Sequence, residues 1–307
     1  MSTDLLHSDY IESIAGTVVP CIITTFFLYG LYSLLFCIYI QLQIRDSQLG
    51  NRHHRPIFSR ISIPALFLLL TSHVVLATIS LYELLRSQTL LDWISRKQSF
   101  TLPADARYFG FWNFNLAAAG VLIVASTIAD ALLLYRTYTL WDRQMSPVIA
   151  PVILMLLSFG AGLYAIIIGR KGSILFVADP LAGDTMLNNA AIGILAFACS
   201  TLVTNLILTG LIVYRVRQLS QITNRYLPFS EHVNNKPLVR LIIGSCLLYP
   251  VAIIAMCVVI EVGTNLIFVT PMVAQMMGIS PTFMIVEIDL ALNSSIRGRR
   301  SEKPEES

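Results

Sequence analysis

Charge is what this chain has least of: 13% of its 307 residues are charged, against 55% hydrophobic. A soluble domain of this length carries about 25% charged residues, so the sequence lacks the polar surface to sit in water. The first 13 residues hold Asp4, Asp9 and Glu12 but no Lys or Arg. Without a basic n-region, this start does not read as a cleavable signal peptide. No cysteine falls in a loop. Cys21, Cys37, Cys199, Cys246 and Cys257 all lie in apolar stretches, which excludes a loop disulfide and any metal-ligand spacing. The five histidines, His7, His53, His54, His73 and His232, are too few for a di-iron desaturase and wrongly spaced for zinc. There is no HExxH motif and no Walker A loop. Lys97, Lys171, Lys236 and Lys303 all lie outside the apolar stretches, so no lysine is placed for a retinal Schiff base. These absences argue against an enzyme, a metal centre or a bound cofactor. The net charge of +3 is too small for nucleic-acid binding.

What the chain does have is length of apolar sequence. Seven stretches are long enough to span a bilayer: Ile14–Ile40, Ile61–Tyr82, Phe114–Leu140, Val148–Ile168, Ala190–Tyr214, Leu238–Ile260 and Leu266–Leu290. In hydrocarbon every backbone amide needs a partner, and continuous runs such as IIAMCVVI lack the alternation of a barrel strand, so the spans are helices. The expected fold is all-α: an outer tail over 1–13, a seven-helix membrane domain over 14–290 and a disordered tail over 291–307. Loops are short except for two, about Glu83–Asn113 and about Arg215–Pro237. Pro250, Pro271 and Pro281 are expected to kink the last two spans. The sequon Asn293-Ser294-Ser295 falls on the cytosolic side in this scheme.

Orientation follows from basic residues. With the N-terminus outside, fifteen of the 21 Lys and Arg face the cytosol and six face out. Cytosolic loops carry the excess of basic charge, which places the C-terminus in the cytosol. Tyr108, Phe109, Phe111 and Trp112 before the third span, and Tyr135, Tyr138 and Trp141 at its end, match interfacial belts. The chain is thus a multi-pass protein whose first partner is the lipid bilayer, in the plasma membrane or an endomembrane.

Asp130 is the most informative single residue. A carboxylate near mid-membrane costs about 2.5–3.5 kcal/mol, so it should face protein or water. Ala119, Ile123, Ser126, Asp130 and Thr137 share one helical face, which suits a helix buried among neighbours. Two readings stand: a switch or ion site paired with Arg215 or Arg240, or a hydrogen-bonded structural aspartate. Asn205 lies at a similar depth, beside the small-residue ladder Ala196, Ser200 and Thr204, and is a candidate partner. His73 near the middle of the second span is the third intramembrane polar candidate, against the plainer reading of a satisfied structural histidine. Arg136, Arg215, Arg217 and Arg240 form the candidate cytosolic face, for acidic lipid or a cytosolic partner such as a G protein. Glu83, Trp112, Asn113, Asn189, Glu261, Asn265 and Gln275 lie in the outer half. They are either lining for a ligand pocket or ordinary interfacial polarity.

Three stretches carry a resemblance: DALLLYRTYTLW at 130–141, TNLILTGLIVYR at 204–215 and GISPTFMIV at 278–286. Together they resemble the large group of seven-helix, receptor-like membrane proteins of mushroom-forming fungi. Asp130, Tyr135, Arg136 and Trp141 fit that family's third-helix ending, while Glu287 stands where its pattern has arginine. The resemblance covers the inner halves of three spans and implies the fold more than an activity. Against class A receptors the chain differs: Tyr135-Arg136 replaces the acid-Arg-aromatic triplet, and NPxxY is absent. The expected function is an orphan receptor sensing an outside ligand. A small-solute or ion transporter, or a non-signalling scaffold, are the alternatives.

Overall fold

The computed structural model describes residues 2–48, 57–97, 105–226, 244, 247–255, 258 and 266–301. The described chain is helical apart from two short turns. Its elements are α1 (Ser2–Gln48), α2 (Ile57–Lys97), α3 (Asp105–Leu140), α4 (Ile149–Ala178), α5 (Pro180–Tyr226), α6 (described over 247–255) and α7 (Leu266–Ser301). Six of these hold a stretch long and apolar enough to cross a membrane: Val19–Arg45, Arg60–Leu84, Trp112–Leu140, Ile149–Phe176, Leu181–Leu219 and Val269–Glu287. The expected sixth span, Leu238–Ile260, lies mostly outside the described residues, and α6 is its described core.

The helices overrun the expected ends. Residues 2–13, read as a tail, are the first turns of α1, and 291–301, read as disordered, continue α7. Most of the expected Glu83–Asn113 loop is helix too, because α2 reaches Lys97 and α3 begins at Asp105. Likewise α5 runs past Arg215 to Tyr226. The physical reason is cooperativity. A helix already nucleated in hydrocarbon extends at one hydrogen bond per residue fixed, and Leu, Arg and Gln in 84–91 are good helix formers. Pro271 and Pro281 sit inside α7, which continues without a break.

Burial follows the helical period. On α1, Thr25, Leu28, Tyr32, Leu35, Tyr39 and Leu42 form one buried stripe, while Ile23, Phe26, Phe27, Leu31 and Leu34 are exposed. Large apolar side chains left exposed along a helix need a lipid solvent. On α3 the face that the sequence singled out is inside: Ile123, Ser126, Asp130 and Thr137 are all buried. Within the apolar stretch of α7, 67% is buried, against 22% within that of α4.

Two compact units divide the chain. The first comprises Met1–Phe67, Ala131–Ile149 and Asn205–Ser307; the second comprises Leu68–Asp130 and Ala150–Thr204. In the first, the Phe36 ring stacks on Phe67 at 4.0 Å and Tyr32 lies against the same ring. Further along, Leu133, Leu208, Ile212 and Met284 join α3, α5 and α7 in an apolar cluster.

In the second unit, α4 and α5 form an antiparallel hairpin. Asp179 makes the turn: its Oδ1 accepts from the amides of Leu181 and Ala182, capping α5, and Pro180 fills the first helical position. From there the helices run in close register on small residues. A Cβ on Gly183 would lie 2.4 Å from the Phe176 Cα, and Gly172, Gly169 and Gly193 face Leu187, Ala190 and Ala165 in turn. Further along, Ser158 and Thr201 share a hydrogen bond at 2.7 Å and the Ser200 hydroxyl donates to the Leu154 carbonyl. The ladder read on α5 therefore serves helix packing.

Candidate functional site

The C-terminus of α3 presents carbonyls that its own helix cannot satisfy, and its last turn carries no basic residue. The amide of Trp141 bonds back to the Thr137 carbonyl and that of Arg143 to Tyr138, each at 3.0 Å. That wrap puts Asp142 and Arg143 at positive φ, 52° and 64°, which side chains with a Cβ rarely adopt. Arg215 of α5 supplies the missing cation. Its Nε donates to the Leu140 carbonyl at 3.0 Å, its Nη2 to Asp142 Oδ2 at 2.6 Å and its Nη1 to Gln218 at 3.0 Å. The guanidinium also lies 5.4 Å from the Trp141 ring centroid, and Trp141 stacks on Tyr214. One arginine thus caps α3, balances its dipole and ties α3 to α5. Because the Asp142 side chain is 78% exposed, its ion pair adds at most about 1 kcal/mol.

This arrangement corrects one expectation. Arg215 was a candidate cation for Asp130, but its carboxylate partner is Asp142, a residue that the sequence reading passed over. The signal was faint: an acidic residue just past a helix end, separated by 73 positions from the arginine it meets. Arg240, the other candidate cation, lies outside the described residues. Arg217 is exposed, and Arg136 is half-buried and engaged.

The intramembrane polar candidates are all buried. Asp130 is 2% exposed and engaged, Asn205 is 1% exposed and engaged, and His73 is 2% exposed. Asp130 belongs to the second unit and Asn205 to the first. His73 Nδ1 lies 3.0 Å from the Ala118 carbonyl of α3, and its Nε2 has no partner.

Glu83 and Trp112 are half-buried, and Asn113 and Asn189 are exposed, all in the second unit. Asn113 accepts from the Arg170 guanidinium. Glu261 and Asn265 fall outside the described residues. Gln275, in the first unit, is fully buried on α7 with neither its amide nitrogen nor its oxygen partnered. In the same unit the Tyr32 hydroxyl, also fully buried, sits against Thr282 without a well-aligned hydrogen bond. Tyr32 is a second polar group that sequence reading missed, because a tyrosine in an apolar run reads as a hydrophobe.

No family model, curated protein or solved structure matches the chain.

Proposed function

We propose that this chain is a receptor of the seven-helix kind its sequence resembles, sensing an outside ligand and signalling through a basic cytosolic face. The observation that supports it is the junction of α3 and α5 at Arg215. A cap held by one exposed ion pair, one charge-assisted hydrogen bond to the Leu140 carbonyl and one ring contact is strong enough to set a resting state. It is also weak enough for a ligand of differential affinity to open, since a few kcal/mol separates such states. Receptor signalling needs an element of that kind at the face where a partner docks.

The test is a ligand panel read by G-protein dissociation in cells expressing the full chain. A responding ligand should lose effect when Arg215, Arg217, Arg225 and Arg240 are neutralised together. Unchanged signalling in that variant, inserted normally, counts against the reading.

Gln275 favours a second reading, transport. A buried amide with unspent donors and acceptor, on a helix that contains Pro271 and Pro281, is the kind of group that lines a polar path. Solute or ion uptake into vesicles containing the chain, abolished by Gln275→Leu, would replace the receptor proposal with this one.

A further inference from the structure

We propose that the turn joining α3 to α4, with Arg215 beside it, binds the headgroup of an anionic phospholipid, whose phosphate accepts hydrogen bonds from Arg143 and Arg215. This deepens the receptor reading and rests on it only for the signalling role of that face.

Depth comes first. The apolar stretch of α3 ends at Leu140 and that of α4 begins at Ile149, so residues 141–148 lie at the hydrocarbon edge, beside the lipid headgroups. Trp141 and Tyr214, stacked with ring centroids 6.2 Å apart, mark the same level as interfacial aromatics do. Asp142, Arg143, Gln144, Met145 and Ser146 are all exposed there, and the whole arrangement belongs to the first unit.

Charge comes second. Residues 131–149 and 205–219 carry Arg136, Arg143, Arg215 and Arg217 against a single carboxylate, Asp142. That carboxylate is already spent on Arg215, at 2.6 Å. Arg143 follows it directly in the chain and has no ionic partner among the described residues. Arg215 is held in place by its bonds to the Leu140 carbonyl and Gln218, so it is preorganised for an anion. Asp142 is 78% exposed and contributes little, so a phosphate arriving from the bilayer can displace it. Guanidinium groups bind phosphate through paired N–H···O bonds.

The surroundings select a lipid over a water-soluble acidic partner. Tyr214, Met145 and Ile149 are 61%, 63% and 56% exposed beside the arginines. A phospholipid covers such apolar side chains with acyl chain while its phosphate meets the guanidinium groups. A choline headgroup brings its own cation against the arginines, which favours a lipid with net negative charge.

The test uses the full chain with Trp93→Phe and Trp112→Phe, which leaves Trp141 as its one tryptophan. It is reconstituted in phosphatidylcholine vesicles titrated with bromine-labelled phosphatidylglycerol or bromine-labelled phosphatidylcholine, since bromine quenches tryptophan emission on close approach. The anionic lipid should reach half-quenching at an about fivefold lower mole fraction, the preference one surface arginine gives. Arg143→Gly should erase that difference and Asp142→Asn should widen it by removing the competing carboxylate. Arg45→Gln, the same charge loss at the exposed end of α1, should leave it unchanged. Equal quenching by the two lipids, equal losses in the Arg143 and Arg45 variants, or a narrower difference in Asp142→Asn overturns the site. Abolition of the difference by inorganic phosphate at fixed ionic strength overturns lipid as the occupant. If the double-Phe chain does not insert, native mass spectrometry decides: the unaltered chain should retain phosphatidylglycerol over phosphatidylcholine, and Arg143→Gly should not. Ligand-driven signalling without lipid preference sinks this site alone, and lipid preference in a chain that signals to nothing sinks the receptor reading alone.

Discussion

At the scale of single residues, the informative groups are those whose surroundings conflict with their chemistry. Asp130 was legible because a carboxylate within an apolar helix must be turned away from lipid, and it is 2% exposed. If it acts as a charged switch, Asp130→Asn should insert and fold normally yet change basal or ligand-driven signalling. Asp130→Leu should in addition lose about 0.6–2 kcal/mol, the range for one buried hydrogen bond in a bilayer. Wild-type output from both variants at normal expression removes Asp130 from the site. Arg143 presents a different conflict, with φ at 64° on an exposed residue. Glycine adopts that conformation freely, so Arg143→Gly should stabilise the chain by about 1 kcal/mol, read as a higher midpoint of thermal unfolding in detergent. A lower midpoint would mean that the arginine side chain contributes more than the backbone strain costs.

At the scale of elements, the α4–α5 hairpin shows why small residues recur along both helices. Backbone approaches this close leave no volume for a Cβ at Gly183, where the nearest atoms are the Phe176 backbone. Backbone cannot swing aside as a flexible side chain would. Gly183→Ala should therefore destabilise by about 1–3 kcal/mol, and Gly160→Ala, with nothing within 4 Å, should leave the unfolding midpoint unchanged or slightly raised. Equal midpoints for the two variants would show that the hairpin does not pack this way. The helix ends were misjudged from sequence for a related reason. Hydropathy marks where the bilayer stops, but helix extension is governed by hydrogen-bond propagation and ends only where a turn residue such as Asp179 intervenes.

At the scale of the whole molecule, the described helices expose apolar side chains and bury polar ones, the pattern of a protein whose solvent is lipid. Orientation rests on the fifteen-to-six division of basic residues. A reporter fused after Ser307 should be active in the cytosol, and an epitope ahead of Asp4 should be labelled on intact cells. Labelling of the C-terminus from outside reverses the scheme, and with it the assignment of Arg215 to a signalling face.

By itself the sequence determined that this is a helical, multi-pass membrane protein, with α3 turning its Asp130 face inward. Those properties depend on hydropathy and on a 3.6-residue period, which are local and survive any arrangement of neighbours. The partners of the polar groups were decided only by tertiary structure. Arg215 found Asp142 and the Leu140 carbonyl because α5 runs beside the end of α3. His73 was oriented by a backbone carbonyl 45 residues away, an acceptor present at every position and so invisible in residue types. A hydrogen bond acts over about 3 Å, and distances of that size between remote segments are fixed by how helices pack, which no span of sequence records.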